Sequence, residues 1–310
     1  MPQILRRALR AAPLALLLLF LCPLVRAAEP PEPLEARVDA FRQQYGLSTQ
    51  NFAVSFLDLT TGERYGYNEE HMMLAASTFK LPLNLYYYEL QADGDIQGSD
   101  YIADAGCTLD ECHRLSLVYS NNDVSLAMLY KIGTFYTYKT AMRRYFSMTD
   151  DEIDPRYYWD NYYCTRMMLD TLQYLYDNRS RVPEMLGYML QAQPDSYFRQ
   201  FLQDCPVAHK YGFLPANEEK PNGMIENDAG IIFAAHPFLL AVYSEDAGGT
   251  CSRAAVLFRD YVADLLHYRA QCRAEQRSFL AAKRSSFLQG RPLQEPVRRR
   301  PGRTAQPRAQ

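Results

Sequence analysis

The chain lacks the patterns that mark metal, membrane-spanning and nucleic-acid proteins. Its five histidines are scattered, and no Cys or His spacing resembles a zinc site, so neither a metal nor a cofactor is expected. No internal repeat is visible, and tryptophan occurs once, at Trp159. The most apolar run, residues 14–22, is too short to span a bilayer comfortably, which takes roughly 20 residues. Positive charge is scarce where it would matter. The net charge of −3 becomes −7 without the four arginines of the first 27 residues. The segment from Arg284 onward carries seven arginines and one glutamate, so the body between is near −13. An acidic body argues against nucleic acid as a partner.

What is present at the ends is informative. Arg6, Arg7 and Arg10 form a basic start, an apolar stretch follows, and Val25-Arg26-Ala27 fits cleavage after Ala27. Residues 1–27 therefore read as a secretion signal, with an uncleaved anchor as the other reading, and the expected location is extracytoplasmic. The end, 284–310, is rich in Pro and Arg without apolar periodicity and reads as a disordered basic tail. Two roles are open for it: solubilisation, or electrostatic adhesion to an anionic cell envelope. Six cysteines follow the leader, an even count that permits a disulfide framework in a secreted chain. Cys107 and Cys112 are the easiest pair. Cys251 and Cys272 are expected on one continuous helix, roughly 30 Å apart, and cannot pair with each other.

The body, 28–283, reads as one domain. Residues 33–46 have helical spacing and end at Gly46. "NFAVSFLDL" alternates like a strand and turns through "TTGE" into "RYGYN". Helices are expected over 77–93, 114–132 and 165–177. "VAHKYGFL", "GMIENDAGIIFAA" and "PFLLAVYSED" read as strands, and a long amphipathic helix follows from Cys251. This order predicts an α+β fold: an antiparallel five-stranded sheet built from both ends of the chain, flanked by the terminal helices, with an all-helical lobe inserted. A cleft between lobes is the default place for a site. The tyrosine runs at 86–88, 157–158 and 162–163 read as packing and carry no functional weight.

Within "HMMLAASTFKLPLNLYYYEL", residues 71–90, a serine and a lysine interrupt an apolar helix start. Ser77 and Lys80 are spaced i, i+3 and so share a face. The helix N-terminus disfavours an ammonium, and Phe79, Leu81 and Leu83 add desolvation. Both effects favour a neutral amine that can take the serine proton and make a nucleophile. Alone, the S-x-x-K spacing recurs often by chance. Two further segments follow in order. "LVYSNNDVS" offers Ser120 as a second hydroxyl and Asn122 as an amide, although Ser and Asn also serve as ordinary caps. "AHKYGFL" offers Lys210 on a strand and Gly212, which lets another backbone approach.

S-x-x-K, S-x-N and K-x-G in this element order resemble the penicillin-recognising serine enzymes, nearest to the class A β-lactamase branch, over roughly residues 33–275. The resemblance implies a β-lactamase/transpeptidase-like fold, with Ser77 acylated, Lys80 as its base and Ser120 relaying a proton to the leaving nitrogen. It further implies that Asn122 binds a substrate amide and that Lys210 tunes Ser120 and attracts a substrate carboxylate. The N–H groups of Ser77 and Phe213 would hold an oxyanion. Three departures stand out. Asn121 replaces the usual Asp. Tyr211 stands where the family prefers Thr or Ser. The deacylating Glu has no clear match in "DDEIDPRYYWDNYYCTR", where Asp160 is the stand-in. The expected function is a secreted serine acyl-transfer hydrolase, slow in deacylation, acting on a β-lactam, a related small molecule or a peptidoglycan-derived substrate. The alternatives are a D,D-peptidase or esterase on wall peptides, or a pseudoenzyme that binds wall fragments. No oligomeric state or disulfide pairing is assigned.

Overall fold

The computed structural model describes residues 28–216 and 223–288. The expected leader, its cleavage site and residues 289–310 of the basic tail lie outside the described residues. Residues Pro31–Leu266 form one unit; outside it, the Ala28 N–H donates to Glu275 Oε1 at 3.1 Å.

Helix α1 (Leu34–Tyr45) buries Leu34, Val38 and Phe41, one stripe at i, i+4, i+7, and stops at Gly46, whose φ of 65° continues no right-handed helix. Strands β1 (Phe52–Asp58) and β2 (Arg64–Tyr67) form the first hairpin. A two-residue strand β3 (Met73–Leu74) leads into a 3₁₀ turn (Ala76–Phe79) and helix α2 (Lys80–Asp93), buried over most of its length and central to the helical lobe. The lobe continues through a small ribbon, β4 (Tyr101–Ile102) with β5 (Cys107–Thr108), then α3 (Leu109–Leu117), α4 (Asn122–Ile132) and α5 (Phe135–Met142). Strand β6 (Tyr162–Tyr163) pairs with β3, and α6 (Thr165–Asp177) and α7 (Pro183–Met189) follow. The chain returns to the sheet with β7 (Val207–Leu214), β8 (Ile225–Ile232) and β9 (Phe238–Glu245), and ends in α8 (Thr250–Leu288).

The main sheet has the order β2-β1-β9-β8-β7, antiparallel throughout. All seven residues of β1 are buried because both faces are covered. Side chains of a strand alternate between faces, and here they sort cleanly. Phe52, Val54 and Phe56 join the layer of α1 and α8, whereas Ala53 and Leu57 join the helical lobe. Phe56 is fully buried between the rings of Phe238 and Phe258, at 5.6 and 4.9 Å. On the lobe side, small residues Ala53, Ala208, Ala229 and Ala241 let α6 approach the sheet closely.

Two expectations change. The helix expected over 114–132 is broken at Ser120, whose φ of 56° takes the chain out of α3 and into α4. The Cys107–Cys112 disulfide is absent: the sulfurs lie 3.4 Å apart, well beyond the ~2.05 Å of a bond. All six cysteines are thiols, and burial beside Cys107 pushes the Cys112 thiol up to about 12. Cys251 and Cys272 do lie on one helix, which runs through Leu288, past the boundary expected at 284. Among the described residues, no helix is long and apolar enough to cross a membrane.

Candidate active site

Ser77 sits where the sheet meets the helical lobe. The residue before it, Ala76, has a φ of 47°, a left-handed conformation that costs an L-residue roughly 1–2 kcal/mol. Surrounding hydrogen bonds impose it. Asn161 grips both sides of the turn, accepting from the Ala75 N–H with its carbonyl and donating from Nδ2 to the Ala76 carbonyl, each at 2.8 Å. The Thr78 hydroxyl donates to the Ala75 carbonyl at 2.8 Å and is itself hydrogen-bonded to Tyr243. From the far side comes β7. A Cβ on Gly212 would lie 2.5 Å from the Ala75 oxygen and 2.9 Å from the Ser77 nitrogen, so only glycine fits. This approach brings the β7 backbone at Gly212 up against the Ser77 N–H.

Lys80 is fully buried one turn further on. Its Nζ lies 3.0 Å from Ser77 Oγ, 2.6 Å from Asn122 Oδ1, 2.6 Å from the Ser120 carbonyl and 3.2 Å from Ser120 Oγ. Burial lowers its pKa from 10.5 to about 7. A neutral amine has two N–H donors and one lone pair. The carbonyl oxygens of Ser120 and Asn122 take the donors, which leaves the lone pair for the Ser77 hydroxyl proton.

The left-handed turn at Ser120 aims both its carbonyl and its hydroxyl at the lysines. Asn121 caps α4, accepting from the Val124 N–H at 3.0 Å. Asn122 has its oxygen on Lys80, so its Nδ2 remains for a substrate carbonyl. Lys210, also fully buried, donates to Ser120 Oγ at 2.9 Å and to the Tyr211 carbonyl at 2.8 Å. Its pKa falls well below the ordinary value, through burial first and the neighbouring Lys80 second. The centre of the Tyr211 ring lies 4.1 Å from its Nζ.

The structure thus brings together Ser77, Lys80, Ser120, Asn122, Lys210, Tyr211 and Gly212, and sets Phe213 beside them. It does not bring Asp160. That side chain is exposed and accepts from the Asn161 N–H at 2.6 Å, and its charge acts on Lys139. Among the described residues, no carboxylate hydrogen-bonds Ser77, Lys80 or Ser120. The next residue, Asn161, is the one that reaches the nucleophile turn, and nothing in the sequence signalled it. Asp228 went unremarked too. It accepts from buried His209 Nδ1 at 2.7 Å and from the Phe198 N–H at 3.0 Å, which pins the segment beside β7. The tyrosine runs prove to be core in part. Buried Tyr157 and Tyr163, with Phe135, enclose the Nζ of Lys139, which donates to the Tyr162 carbonyl at 2.8 Å and so ties the Asn161 loop to α5.

Comparison with known proteins agrees with this geometry. The family described as "Beta-lactamase enzyme family" matches residues 33–268. No curated protein matches. Among solved structures, a beta-lactamase from Chitinophaga pinensis is 15% identical with a TM-score of 0.62, covering 74% of this chain and 99% of its own. A beta lactamase from Xanthomonas campestris pv. campestris is 19% identical with a TM-score of 0.59, covering 75% and 97%. A variant of the last common ancestor of Gram-negative bacteria beta-lactamase class A is 20% identical with a TM-score of 0.57, covering 76% and 99%. At these identities the structures speak for the fold, and the family match over most of the sequence speaks for descent: this chain belongs to the beta-lactamase enzyme family.

Proposed function

We propose that this protein is a serine acyl-transfer hydrolase that opens β-lactams and related amides or esters through an acyl-Ser77 intermediate and releases the acyl group slowly. The observation that carries the reading is the buried, depressed Lys80 amine 3.0 Å from Ser77 Oγ. Lys80 takes the Ser77 proton as Oγ bonds to the carbonyl carbon. The oxyanion gathers at the Ser77 and Phe213 N–H groups. Collapse breaks the bond to the leaving atom, which takes the Ser120 proton; Ser120 regains one from Lys80, directly at 3.2 Å or by way of Lys210. Water then attacks the ester, and among the described residues Lys80 is the base that hydrogen-bonds Ser77 and could activate it. A missing base typically costs 10²- to 10⁴-fold in the affected step, which also favours a peptidase-like protein that holds its acyl group. The leader and tail support export and adhesion to anionic envelope material.

Intact-mass spectrometry over time with a reactive lactam or ester tests this. The expected result is one adduct on the wild type and none on Ser77→Ala. An adduct on a folded Ser77→Ala variant would show a different nucleophile.

A further inference from the structure

Lys210 is the lysine that β7 brings to this site, and it has no free surface. It is 0% exposed, its nitrogen is bonded to Ser120 Oγ and the Tyr211 carbonyl, and the Tyr211 ring lies across it at 4.1 Å. The other charges acting on it are Lys80 and Asp228, and Asp228 is a carboxylate. Burial raises the pKa of the Tyr211 phenol, and the neighbouring Ser120 side chain opposes the rise. The ring is braced from behind. Tyr197 stacks on it at 4.5 Å with planes 10° apart. Tyr197 has a φ of 58°, a conformation that a bulky residue adopts only when its surroundings insist. They do insist: the next residue, Phe198, is fully buried and its N–H is held by Asp228 Oδ2 at 3.0 Å. Beyond Tyr211, β7 presents Phe213 and Leu214, both more than 40% exposed. Among the described residues, the wall that β7 and Tyr197 build on this side is therefore aromatic and uncharged.

We propose that the Tyr211–Tyr197 wall makes this site select acyl donors with no carboxylate beside the scissile bond, namely neutral lactams, amides or esters. A carboxylate brought there must shed water without gaining an exposed cation among the described residues, and an unpaired buried charge is among the most costly groups a site can hold. A neutral donor loses nothing and gains ring contact with Tyr211 and Phe213. The inference rests on the acyl-serine reading above and names the substrate class for that same site.

Benzylpenicillin and its methyl ester provide the test, since they share the lactam and the acyl group and differ in the one carboxylate. Acylation of the full chain is followed by intact mass with each compound, and the second-order rate constants are compared. The ester is expected to acylate the wild type at least about tenfold faster than the acid, the equivalent of ~1.4 kcal/mol. Tyr211→Thr uncovers Lys210 and is expected to shift that ratio toward the acid by about tenfold or more. Tyr197→Ala, a milder opening of the same wall, should move it in the same direction. An acid that acylates the wild type as fast as the ester overturns the inference, as does a ratio that neither variant changes. If neither compound labels Ser77, the acyl-serine reading itself fails; labelling with the wrong preference defeats the selectivity alone.

Discussion

Replacing Lys80 with methionine measures how strongly the fold perturbs this amine. An ordinary lysine keeps its proton to about pH 10.5, whereas Lys80 gives it up at about 7. Between those values the unfolded chain binds a proton that the folded chain does not. Stability therefore rises with pH across the window, by about 1.4 kcal/mol per pH unit, to a total of roughly 5 kcal/mol. Below pH 7 both states are protonated and the full cost of the buried ammonium is present. Methionine is of similar length and titrates nothing. The stability of wild type minus Lys80→Met should thus be flat below about pH 6.5 and climb by about 1.4 kcal/mol per pH unit above 7.5. Denaturant unfolding followed by circular dichroism at a series of pH values reads it directly. The buried tyrosines and cysteines titrate in both proteins, so their contributions cancel. Wild-type acylation should rise through the same pH of about 7, because only the neutral amine accepts the Ser77 proton. Parallel stability curves would refute the reasoning: Lys80 would then be an ordinary protonated lysine at neutral pH and unfit to be the base.

Three other substitutions report on separate parts of the site. Gly212→Ala should lower Ser77 acylation by about 10²-fold, since the new Cβ meets backbone atoms of Ala75 and Ser77 that cannot swing aside; unchanged labelling would mean that β7 is not seated as described. Asn161→Ala frees the Ala76 carbonyl and should cost about 1–2 kcal/mol in denaturant unfolding, with acylation falling roughly tenfold; a loss of stability at full acylation rate would leave Asn161 a merely structural residue. Asp160→Asn should leave a burst equal to the enzyme concentration followed by the same slow release as wild type, and a slower release would return Asp160 to the role of water activator.

Local sequence reported some features faithfully and could not report others. Helix α6 and strand β7 have the bounds expected from their patterns, 165–177 and 207–214, because their apolar periodicity agrees with their final burial. The cluster around Ser77 was legible because its members lie in short spaced motifs, and the spacing of Ser77 and Lys80 already implied a shared face. The break at Ser120 was hidden because the apolar pattern runs on from α3 into α4, and a left-handed serine leaves no periodic trace. Asn161, Asp228 and Tyr197 were hidden for another reason. Each acts through a partner far along the chain: Asn161 through Ala76, Asp228 through Phe198 and His209, Tyr197 through Tyr211. Such roles exist only once the lobe and the sheet have met.

The order of strands in the sheet also governs when chemistry can begin. Strand β1 lies between β2 and β9, so Val54 pairs with Val242 across nearly the whole domain. Pairings of such long sequence separation form late and slowly. Ser77 and Lys80 leave the ribosome early and remain neighbours in any helical fragment. Yet in a nascent chain that lysine is solvated and charged, and the serine beside it is inert. The proposed base is assembled only after the last third of the polypeptide has come back, bringing Lys210 and Gly212. The topology thus acts as a timer, and a chain cut short before β7 would be left with the nucleophile but without the chemistry.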